Sequence, residues 1–101
     1  MKIAISTSSK KVDSSISSRA GRAPYFLIFN ESADLLEVVS NPFSIGGGGA
    51  GIAVAKMLAD KGVDIVVSGR VGDKMADALA ERGIKFFEKD GIAQEIVEAI
   101  I

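Results

Sequence analysis

Cysteine and histidine are both absent from this 101-residue chain. Without cysteine there is no disulfide, and without either residue the usual soft-metal ligands are missing. The usual acid–base residue is missing too, so the serines at 6, 8, 9, 14, 15, 17 and 18 have no imidazole to activate them. Serine–lysine chemistry with Lys10 or Lys11 would need an ordered loop where the composition reads as irregular. An excess of one charge is lacking as well: 12 basic residues face 13 acidic ones, for a net charge of −1. That balance leaves no electrostatic footprint for nucleic acid or for an anionic membrane. No apolar run approaches the ~20 residues that would span a bilayer. Residues 1–6 are too short and too β-like for a signal peptide, and the lack of cysteine makes cytoplasmic the expected compartment. Carboxylates are scattered over Asp13, Glu31, Asp34, Glu37, Asp60, Asp64, Asp73 and Asp77, with no close pair of the kind a two-metal or glycosidase site needs.

What is present reads as one α/β domain spanning 1–101, with 48% hydrophobic and 25% charged residues. Residues 1–7 are apolar and β-favouring and predict a buried strand. Residues 10–23 are polar and serine-rich, with one helical turn expected near Ser17, Ser18 and Arg19. Residues 25–30 and 35–40 are apolar runs joined by Glu31-Ser32-Ala33-Asp34, which predicts an antiparallel hairpin. The second half alternates helix and strand. A helix ends at Gly62, a strand follows over 63–68, and Asp73 is the expected N-cap of a second helix ending at Gly83. A fifth strand is expected over 84–87, then a terminal helix with Ile92, Ile96, Val97 and Ile100 on one face. Residues 58–65 and 79–86 echo each other at a 21-residue offset, each a helix end, a glycine and a strand start. Successive α–β units require parallel strands and right-handed crossovers. The expected architecture is a mixed five-stranded sheet with helices covering its faces.

The run Gly46-Gly47-Gly48-Gly49-Ala50-Gly51 stands directly before the first helix. Four consecutive glycines carry a large backbone entropy cost on folding, which anion-binding amides at a helix N-terminus would offset. The alternative is a plain flexible connection between edge strand and helix. Gly46, Gly48 and Gly51 fit G-x-G-x-x-G, but they do not follow the first strand of a dinucleotide unit. The P-loop pattern fails because Ile52-Ala53 follow Gly51. Arg22 precedes the second strand and Arg70 follows the fourth. Each arginine alone reads as a surface ion-pair partner; together with Ser6, Thr7 and Ser68 they read as a site at the carboxyl ends of adjacent parallel strands. The glycine loop is expected nearer the opposite end.

The order of motifs resembles the dinitrogenase iron–molybdenum cofactor biosynthesis family, the NifX/NifB C-terminal-like domains. The residues that carry it are Met1-Lys2-Ile3-Ala4-Ile5, Gly21-Arg22-Ala23-Pro24-Tyr25-Phe26, Asn41-Pro42, Gly48-Gly49-Ala50-Gly51, residues 62–69 and Gly83-Ile84-Lys85. The resemblance implies a ribonuclease-H-like motif with strand order 3-2-1-4-5, strand two antiparallel, and helices on both faces. Nuclease activity is not implied, because strand one lacks the magnesium-holding acid. Many relatives look like Ser-x-His-Phe-Gly-Arg where this chain has residues 17–22, and carry histidines where it has Ser44-Ile45-Gly46.

The resemblance therefore implies a non-enzymatic cytoplasmic carrier or scaffold for an anionic iron–sulfur or molybdenum–sulfur cluster or its precursor. The cluster, or an oxyanion, would be held without cysteine or histidine. The expected binding residues are Arg19, Gly21, Arg22, Gly46, Gly47, Gly48, Gly49, Gly51 and Arg70, with no catalytic residue and no direct metal ligand. Each charge-assisted hydrogen bond contributes about 1.5–3 kcal/mol, and roughly three to five of them would give micromolar affinity. A protein partner in cluster transfer is a further expectation, with neither nucleic acid nor membrane. The alternative is a protein-interaction or regulatory module that keeps the fold and has lost cluster binding. A phosphate- or nucleotide-binding enzyme is disfavoured by the missing base and metal-binding acids.

Overall fold

A computed structural model describes residues 1–46 and 48–101. Gly47 lies outside the described residues, so its expected role is neither placed nor contradicted. The chain runs β1 (Lys2–Thr7), β2 (Tyr25–Asn30), β3 (Leu35–Ser40), α1 (Ala50–Asp60), β4 (Ile65–Ser68), α2 (Asp73–Glu81), β5 (Lys85–Glu88) and α3 (Ala93–Ile100). The five strands form one sheet in the order β3-β2-β1-β4-β5. Strand β2 is antiparallel to both its neighbours, whereas β1, β4 and β5 are parallel. Fold class and strand order are those expected.

Alternation along the strands builds two cores. Ala4, Phe26, Ile28 and Val66 face one cluster, with Val54, Leu58, Met75 and Leu79 from α1 and α2. Ile3, Ile5, Leu27, Phe29 and Val67 face the other, with Ala93 and Val97 from α3. Each fully buried side chain of this size contributes about 1.5–3 kcal/mol. The central strand is thus clamped from both sides, and Ile3, Ala4 and Ile5 are all inaccessible to solvent.

The sequence echo is a real structural repeat. At the end of α1, Gly62 N–H donates to Ala59 O (3.0 Å) and Val63 N–H to Leu58 O (3.1 Å). At the end of α2, Gly83 N–H donates to Ala80 O (3.0 Å) and Ile84 N–H to Leu79 O (2.9 Å). These bonds satisfy the last helical carbonyls. They also use up Val63 and Ile84, so β4 and β5 begin later than the apolar runs suggest.

Three local expectations are corrected. Asp73 is not the cap: Gly72 is the N-cap in an extended conformation, Asp73 is the first helical residue, and no side chain caps the helix. The expected helical turn at 17–19 is absent. Ile16 instead bridges Thr7 and Ser15 bridges Ile92, while Ser17 N–H donates to Ser6 O (2.8 Å). Pairing with the end of β1 overrides the local preference. In α3 the buried residues are Ala93 and Val97; Ile96 and Ile100 pack at the margin, and Ile92 is the N-cap.

Candidate functional site

Helices that cross back between parallel strands run against them, so their N-termini reach the strands' carboxyl ends. That places the starts of α1 and α2 beside the ends of β1 and β4. The floor there is cross-linked by short polar bonds. Ser6 Oγ donates to Ser68 Oγ at 2.7 Å, and both hydroxyls lie 3.3 Å from Ser17 O. Gly69 N–H donates to the same Ser17 carbonyl, and Ala20 N–H to Arg70 O, each at 2.9 Å. On its far side Val71 N–H donates to the Glu88 carboxylate at 2.9 Å. Residues 17–20 and 69–71 are therefore one zipped platform carrying Arg19 and Arg70. A Cβ on Gly69 would stand 2.8 Å from the Ser18 Cα, so only glycine permits this approach.

The neighbouring wall is the segment around Arg22. Gly21 rests on the first turn of α1, where an added Cβ would meet Gly51 N at 3.2 Å. Gly51 in turn rests on α2, and its Cβ would be 2.8 Å from Met75 Cβ. These two glycines are accounted for by close packing. Gly49 differs: it is the N-cap of α1 at φ 86°, in the left-handed region, and it has no side-chain capping bond. The first intrahelical bond runs from Ala53 N–H to Gly49 O at 3.1 Å. The N–H groups of Ala50, Gly51 and Ile52 precede that ladder, as at any helix start. No acidic residue occupies this first turn.

These parts enclose a cleft of about 910 Å³ lined by Arg19, Gly21, Arg22, Gly49, Gly51, Arg70, Gly72 and Lys74, among others. A smaller hollow of about 270 Å³ shares Arg22, Gly49 and Ala50, and adds Phe43, Ile45, Gly46 and Gly48. The glycine loop and the arginines meet, contrary to the expectation that they would lie at opposite ends; the antiparallel run of α1 is the reason. Among the described residues, Arg19, Arg70 and Lys74 form neither ion pairs nor side-chain hydrogen bonds. Arg22 donates from Nη1 to Phe43 O at 3.4 Å. Of the described lining residues only Asp73 is acidic. The sequence predicts a helix from Asp73 but does not mark Lys74 or that helix start as part of the site; Gly72 directly before a helix is the available signal.

The donor set decides what such a cleft can hold. Among the described residues there is no group of three or more histidines, cysteines, aspartates or glutamates able to hold a metal ion. Guanidinium, ammonium and helix-terminal amides are all donors, suited to an anion recognised by hydrogen bonds and charge.

No curated protein matches the chain. Among solved structures, the apo form of the orange protein from Desulfovibrio gigas superposes with a TM-score of 0.91 at 29% identity, covering 98% of this chain and 85% of that one. A protein from Thermotoga provisionally described as NifB superposes with a TM-score of 0.82 at 33% identity, again over 98% and 85% of the two chains. A provisionally described dinitrogenase from Methanocaldococcus jannaschii shares the fold alone, with a TM-score of 0.62 and 18% identity over 98% of this chain and 89% of that one. The family described as dinitrogenase iron-molybdenum cofactor matches residues 1–101, and the chain belongs to that family.

Proposed function

We propose that this protein is a cytoplasmic, non-enzymatic carrier or scaffold whose cargo is an anionic metal–sulfur cluster, or a precursor of one. The observation that carries this reading is the set of cations around one cleft. Arg19, Arg22, Arg70 and Lys74 line it, with Asp73 as the opposing acid, beside an α1 start that has no side-chain cap. An anion would supply the partner that three of these side chains lack. Family membership points to iron–molybdenum chemistry. The similar orange protein was solved in an apo form.

Because the chain has neither cysteine nor histidine, the cargo would keep its own sulfide or oxo ligands. The protein would supply an outer shell of N–H donors. Charge-assisted bonds of this kind contribute about 1.5–3 kcal/mol each. A cargo held without covalent ligands could be passed to a protein partner without breaking a metal–protein bond. Nothing in this chemistry calls for nucleic acid.

The test is an anaerobic titration with thiomolybdate and with a reconstituted iron–sulfur cluster, followed by charge-transfer absorption, with phosphate and ATP as competitors. Saturable binding is expected, weakened about tenfold or more by Arg22→Ala. Gly48→Ala is the clean probe of the loop, since its Cβ would enter open space and its φ is not left-handed. A flat titration with every ligand would overturn the carrier reading and leave a protein-interaction or regulatory module.

A further inference from the structure

Asn41 is the most heavily bonded polar side chain near the cleft; it is not itself a lining residue but bonds to residues that are. It is only 4% exposed. Its Nδ2 donates to Gly21 O at 3.2 Å and to Ala23 O at 2.9 Å, the two carbonyls that bracket Arg22. Its Oδ1 accepts from Phe43 N–H at 2.9 Å, at the start of the loop that carries the glycines. Its backbone is committed as well: Asn41 N–H donates to Pro24 O at 2.9 Å, and Asn41 O accepts from Ser44 N–H at 3.3 Å. One side chain thus joins both walls of the smaller hollow, and the Arg22 guanidinium closes the same circuit through Phe43 O.

We infer that Asn41 is a positioning residue, whose carboxamide holds Arg22 and the segment Phe43 to Gly46 in register beside the N-terminus of α1. The inference rests on the proposed anion site for its affinity consequence; the geometry holds without a ligand. Only a carboxamide does this work. Two carbonyls need two donors, and one N–H needs an acceptor, all within one short side chain. Aspartate keeps the acceptor and loses both donors. Alanine loses all three bonds and leaves buried groups unsatisfied, which is costly in itself.

Two experiments decide it. In the free protein, nitrogen-15 NMR of Asn41→Asp is expected to show the Phe43 amide still protected from exchange while the Arg22 side-chain signal sharpens with new mobility. An Arg22 signal unchanged from wild type would overturn the inference, whatever the protein binds. In thiomolybdate titrations, Asn41→Ala and Arg22→Ala are each expected to weaken binding, and the double variant to lose little more than Arg22→Ala alone. Asn41→Ala with Arg19→Ala, across the cleft, should multiply to within about twofold. Full multiplication with Arg22→Ala as well would make Asn41 a mere stability residue and overturn the inference. If the wild type binds neither thiomolybdate nor the iron–sulfur cluster, the carrier reading fails and the NMR result alone decides the positioning role. Should neither variant fold, exchange of the wild-type Asn41 carboxamide protons decides: slow exchange at both supports the clamp, and fast exchange overturns it.

Discussion

The two ends of β1 treat charge in opposite ways. At its amino end charged groups find partners within the chain. The Met1 ammonium meets Glu31 at 3.2 Å, and Lys61 meets Glu37 at 2.6 Å. Lys2 donates from Nζ to Lys61 O and from its backbone to Asp64 Oδ2, both at 2.9 Å. At the carboxyl end, Arg19, Arg70 and Lys74 line a cleft with no ion pair among the described residues. The chain as a whole has one more acid than base, so carboxylates are not scarce. They are placed elsewhere. Surface pairs add little stability, so leaving cations unmatched costs the fold little. A site whose intended partner is a ligand has this pattern; a surface tuned for stability alone has the first.

The cationic end also depends on backbones that touch, and breaking that contact should have the largest effect. Gly51→Val would place a Cβ 2.8 Å from Met75 Cβ and drive α1 from α2. Overpacking of this kind costs about 1–3 kcal/mol. In a domain near this size that lowers the melting temperature by about 4 °C or more. A Gly51→Val protein melting with the wild type would show that the two helices are not in the contact described.

A charge reversal tests the difference between the ends more directly. Lys74→Glu would give the cleft a second carboxylate beside Asp73. Thiomolybdate affinity is expected to fall about tenfold at low ionic strength, and less near 1 M salt, where screening shortens to about 3 Å. Lys56→Glu, on an exposed helical position already paired with Asp60, is the control and should leave affinity unchanged. Equal losses from both variants would mean that net charge, rather than the cleft, governs the anion.

Much of this is legible in the sequence itself. The hairpin strands begin and end at the residues where the apolar runs begin and end, because the turn at 31–34 interrupts them sharply. The echo around Gly62 and Gly83 announced two helix ends, since the same local chemistry closes both. Legibility stopped where distant segments decide. Ser15–Ser17 has the composition of a turn, yet pairs with Ile92 and with the end of β1, where β1 runs on past its register with β4. Gly51 sits in a run that suggests ligand contact, yet packing against Met75 is sufficient reason for it. The meeting of the glycine loop with Arg19 and Arg70 follows from the direction of α1, a tertiary fact that spacing alone did not convey.

The smallest effect is expected at the amino end, where pH offers the handle. The Glu31 carboxyl lies below its ordinary value, first through a hydrogen bond from its own backbone N–H and then through the Met1 ammonium. A carboxyl depressed in the folded state binds its proton more readily when unfolded. Its contribution is therefore whole above the ordinary carboxylate range and is lost as pH falls through the lowered folded value. Glu31→Gln should consequently melt slightly below the wild type at neutral pH and converge with it in acid. The carboxyl is fully exposed, so the gap should be small and should shrink further in salt. Thiomolybdate binding should not change, because Glu31 belongs to the turn before β3 and not to the cleft. A melting gap that persisted to strong acid would assign the effect to the shape of the turn instead. A change in anion affinity would mean that the two ends of β1 are electrostatically coupled, and that the division between a matched end and an open one is not the protein's own.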